Sequence, residues 1–111
     1  MTSMEMKRGD LEPDLVVVVE DAAGLANLNL VVSWRIIGKL HGVLVVNGAP
    51  TTVVVDSGNS AKATISRAWV SGETAVTGDM QVEVEAMWPG ARPQTFPASG
   101  YGVVRIHADL G

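Results

Sequence analysis

Two histidines, His41 and His107, are the natural starting points for acid–base chemistry in this 111-residue chain. His107 stands two residues before Asp109, so a serine–histidine–aspartate site comes first to mind. Such a site needs a serine presented on a sharp turn beside an oxyanion pocket, and no G-x-S-x-G stretch occurs. His107 is therefore expected to be an ordinary strand residue. His41 lies in "LHG", far from any acidic partner at ligand spacing, and the chain has no cysteine. Neither a thiolate metal site nor a disulfide framework is available, and no catalytic residue, metal or cofactor is expected.

The oxygen-bearing groups read the same way. Glu83 and Glu85 fall on one face of an alternating stretch, "MQVEVEAM", and could pair as two carboxylates. On a strand that spacing is also the signature of a solvated face, which is the reading adopted here. "DSGNS" (Asp56–Ser60) offers Asp56, Ser57 and Asn59, too few carboxylates on too short a frame for calcium, and reads as a turn. The scattered glycines form no phosphate-cradling loop. Trp34, Trp69, Trp88 and Tyr101 are core anchors or, for Trp88 with Tyr101, a stacking platform for a sugar. Arg8-Gly9-Asp10 matches an adhesion tripeptide but sits at the chain start without an export signal, so a chance match is expected.

What must position these residues is a set of strands. Eighteen valines fall in short clusters separated by Gly, Pro, Asn and Asp. Strands are predicted at Leu15–Glu20, Val31–Ile37, Val43–Val46, Thr51–Val55, Ala61–Val70, Met80–Met87, Gln94–Phe96 and Tyr101–Ala108, with "LANLNL" as a helical turn at most. Seven or more short strands with turns about every ten residues predict an all-β, immunoglobulin-like antiparallel β-sandwich. Residues 1–12 are expected to form a polar arm and 13–111 the sandwich.

Net charge is −4, and residues 1–21 carry six acids against two bases while the rest is balanced. Without a basic stripe, nucleic-acid binding is not expected. The start lacks the apolar core of a signal peptide and no apolar run is long enough to span a bilayer, which predicts a soluble chain with no membrane partner.

The valine runs carry a further expectation. A sandwich strand has one inward face, so apolar and polar residues should alternate. Val16–Val19 and Val53–Val55 do not alternate, so some of them must face outward. Their cover is either the chain's own loops and arm or another protein. Val17, Val19, Val53 and Val55 are the first choice as contact residues, with Val16, Val18 and Val54 as the alternates. A one-residue slip exchanges the two sets.

Taken in order, several stretches resemble the immunoglobulin-like N-terminal domain of phage baseplate upper proteins. They are Lys7-Arg8-Gly9-Asp10, Leu15–Glu20 and "DAAGLANLNL", then Trp69, Gly72-Glu73-Thr74, Gly78 and "MQVEVE". Thr95-Phe96-Pro97, Tyr101 and "VVRIHADL" close the series. Met80 stands where the family carries a tyrosine. The resemblance implies a non-enzymatic structural component of a phage virion, in the tail or baseplate. Its partners would be other virion proteins and copies of itself, in a homo-oligomer or symmetric assembly. A capsid-surface decoration protein and a carbohydrate-binding module are the alternatives.

Overall fold

Burial alternates strictly along "LVVVVE": Leu15, Val17 and Val19 are buried, and Val16, Val18 and Glu20 are exposed. A strand directs successive side chains to opposite faces, so even a run of four valines is divided between core and surface. The same period-two pattern recurs through the computed structural model, which describes residues 3–21, 23–97 and 102–109.

Nine strands follow in order among the described residues: β1 Ser3–Lys7, β2 Leu15–Glu20, β3 Ser33–Leu40, β4 Val43–Gly48 and β5 Thr52–Asp56. Then come β6 Asn59–Arg67, β7 Gly78–Trp88, β8 Arg92–Phe96 and β9 Gly102–His107. A single 3₁₀ turn at Leu28–Leu30 is the only helical element among the described residues. The large sheet runs β1-β9-β7-β3-β4, with β8 also on β7, and the small sheet runs β2-β6-β5. Every pairing is antiparallel except β1 with β9, which is parallel. The chain is an all-β, immunoglobulin-like sandwich.

β7 is the spine of the large sheet. One edge pairs with β3, while the other takes β9 along Gly78–Val82 and β8 along Val84–Trp88. Its inward residues Met80, Val82, Val84 and Ala86 meet Leu15, Val17, Val19, Ala63 and Ile65 of the small sheet in one core. Gly38, on β3, makes room there. A Cβ at that position would lie 2.8 Å from Met80 Sδ and 3.1 Å from Val46 Cβ.

The stretch expected as a polar arm over residues 1–12 is part of the sandwich from residue 3 onward. Ser3–Lys7 forms β1, with Met6 buried in the core, so the sandwich boundary at residue 13 does not hold for this stretch. The segment that follows is pinned. Arg8 N–H donates to His107 O at 2.7 Å, Gly9 N–H to Thr74 O at 2.9 Å, and Thr74 Oγ1 to Asp10 O at 2.8 Å.

Candidate docking surface

The side chains singled out for possible chemistry have near neighbours in the fold. His107 Nε2 lies 2.7 Å from Glu5 Oε1 on the neighbouring strand, whereas Asp109 takes a hydrogen bond from Arg8 Nη2 at 2.9 Å. His41 occupies the β3–β4 turn, its Nε2 3.3 Å from Thr77 O. Asp56 Oδ1 accepts from Gly58 N–H and closes the turn before β6. No group of three or more metal-ligating side chains occurs among the described residues. Arg8-Gly9-Asp10 is a tight turn whose backbone and arginine are tied to the body, the opposite of a protruding loop.

The tryptophans are anchors. Trp69 is buried and donates its indole N–H to Pro13 O at 2.9 Å. Trp34 packs against the core with its ring 6.3 Å from that of Phe96. Trp88 lies in β7, packs on the core and donates to Gln94 Oε1 at 2.9 Å. Tyr101, its supposed partner in a sugar platform, lies outside the described residues.

The two outer faces differ in kind. Across the large sheet, Arg105 pairs with Asp79 at 2.9 Å, Arg35 with Glu85 at 3.5 Å, and His107 with Glu5. Ile37 lies opposite Glu83 in register, so both glutamates of β7 stand in this charged, solvated face. Across the small sheet the rows read Val16–Ser66–Thr52 and Val18–Thr64–Val54. Charge enters that face only at one end, with Glu20, Lys62 and Asp56. Val16 and Val18 are each 38% exposed and Val54 63%.

The sequence-based contact residues divide accordingly. Val17 and Val19, the first choices on β2, are buried at 1% and 2% and belong to the core, because Leu15 starts the strand facing inward. Val53 and Val55 are half-buried and pack on the same core. The alternates Val16, Val18 and Val54 hold the outer positions. Thr52, Thr64 and Ser66 complete that face and escaped the sequence reading. The inward alternation of Ala61, Ala63 and Ile65 in "AKATIS" was the signal for Thr64 and Ser66.

The chain matches no protein-family model, no curated protein and no solved structure. No helix among the described residues is long and apolar enough to cross a membrane.

Proposed function

We propose that this chain is a structural protein of a phage virion, in the tail or baseplate, that docks on neighbouring subunits through its small sheet. The observation that carries the docking is the contrast between the outer faces. One carries three ion pairs and further charged side chains from β1 to β3, with Ile37 and Leu44 as its apolar members toward the β4 edge. The other offers Val16, Val18 and Val54 among hydroxyls, with no charge across its centre. Burying such a face is worth about 25 cal/mol per Å² of apolar area. It also desolvates no ion over most of its extent.

The virion assignment is supported by the order of the short motifs from Lys7 to "VVRIHADL". Two of those motifs meet in the fold, where Gly9 N–H donates to Thr74 O and Thr74 Oγ1 to Asp10 O. They speak to a shared architecture, and the docking face speaks to its use.

Mass spectrometry of gradient-purified particles from the phage encoding the chain tests the reading, with antibody labelling in the electron microscope. Label at the tail or its tip is the expected result. Particles lacking the chain would overturn the reading, and label over the capsid would move it to the decoration alternative.

A further inference from the structure

We propose that two copies of this chain join edge to edge through β5, antiparallel about a two-fold axis at Val54, to make one continuous six-stranded sheet. The inference rests on reading the small sheet as the docking side. Among the described residues β5 pairs with β6 alone, so every second residue along it directs its N–H and C=O outward. A bare strand edge is a template for another strand unless the sequence blunts it.

Among the described residues five strands have an open edge, and they are not equally open. β8, which pairs with β7 alone, carries Pro93 within its five residues, and a proline withholds a donor from any further strand. β1 carries Glu5 at its centre, and antiparallel self-pairing there would set Glu5 against Glu5 of the second copy. β2 is flanked by Phe96 and Pro97, which line one depression with Val18, Val19 and Glu20. β4 is broken in mid-strand by a register shift opposite Gly38 and Lys39, and bulges turn an edge away from partners. β5 has no such device before its last residue, where the shift falls between Val55 and Asp56. Self-pairing about Val54 sets Val53 against Val55 of the second copy and Thr52 against Asp56. No like charges meet, and a hydroxyl donor faces each carboxylate. The outer rows containing Val16, Val18 and Val54 then continue across both copies.

A chain without native cysteine makes the test clean. Light scattering over a concentration series should show mass rising from monomer to dimer. Val54→Cys should cross-link to itself under mild oxidation. Thr64→Cys should not, because two β5 strands would stand between the paired positions, about 14 Å apart at ordinary strand spacing. Val54→Lys should remain monomeric with an unchanged circular dichroism spectrum. A monomer at every concentration would overturn the inference. So would cross-linking by both cysteine variants, which means face-to-face stacking, or a Val54→Lys protein that dimerises like the wild type. Solution mass and particle location are separate readouts: absence from particles removes the virion reading and leaves edge pairing standing, and a strict monomer does the reverse.

Discussion

The indole N–H of Trp69 donates to the carbonyl oxygen of Pro13 at 2.9 Å, joining two segments 56 positions apart. Thr74 acts beside it through its own bond to Asp10 O, and both side chains are almost wholly buried. Trp69→Phe keeps most of the ring and loses the donor, so it should cost about 1 kcal/mol in a denaturant titration. Trp69→Ala should cost about 3–5 kcal/mol. Thr74→Val leaves the Asp10 carbonyl without its donor and should cost about 1–3 kcal/mol. Unchanged midpoints in all three would show that the first turn is not anchored here.

Arg67 and Glu73 make two hydrogen bonds at 2.8 and 3.0 Å with both side chains only 12% exposed, and Glu73 Oε1 also accepts from Val70 N–H. Glu73→Ala strands a guanidinium in a mostly dry site and should cost about 3 kcal/mol. The double variant Arg67→Leu, Glu73→Leu should recover much of that loss, because removing both charges leaves no ion unpaired and only the exposed Val70 N–H loses its acceptor. Equal stability of the single and double variants would contradict this account.

His41 and Gly42 turn β3 into β4 with φ of 52° and 77°, the signs of a type I′ hairpin. Ala91, at φ 56°, closes the β7–β8 loop in the same left-handed region. His41→Asn and Ala91→Gly place residues suited to that region and should each stabilise by about 0.5 kcal/mol. Gly42→Ala should do the reverse. Thermal midpoints that fall for His41→Asn would mean that its 3.3 Å contact with Thr77 O outweighs the turn.

Acid should loosen two places first. The Ala26 N–H, with those of Leu25 and Ala23, holds the Asp21 carboxyl below its ordinary value of 3.8 despite partial desolvation. The Arg105 hydrogen bond does the same for Asp79. A lowered folded value means that the unfolded chain takes up protons first. The stability from each group is therefore complete above 3.8 and fades as pH falls through the lowered folded value. Stability should be level with respect to these groups near neutrality and decline below pH 4, as roughly set by the carboxylate range. Asp21→Asn should remove its part of that slope in acid unfolding curves. An identical slope would exclude the loop bonds as its source.

Much of this architecture was readable from residue types, and the failures have physical causes. β2 lies where "LVVVVE" put it, since β-branched residues fit a pleated surface and "DAAG" ends the run. β7 matched its alternation and extends to Gly78–Trp88. β1 escaped notice because "SMEMK" has no β-branched residue, and its inward Met4 and Met6 form too short a pattern to register. The predicted strand to Val70 ends instead at Arg67, where Trp69 turns into the core. Which valines face outward could not be read at all, because a homopolymeric run carries no parity. Leu15 and its pairing with β6 supply it in the fold.

β1 and β9 run in the same direction, Ser3 beside Val103 and Lys7 beside His107. Tension applied between the Ser3 end of one and the His107 end of the other therefore acts along the strands. The bonds between them strain together instead of parting one after another. Pulled from those two points in a single-molecule extension experiment, the domain should resist as a clasp and yield in one high-force event. A succession of small yields would contradict that geometry. A load that enters at Ser3 and leaves at His107 is thus carried along the strands, with the sheet closed between them.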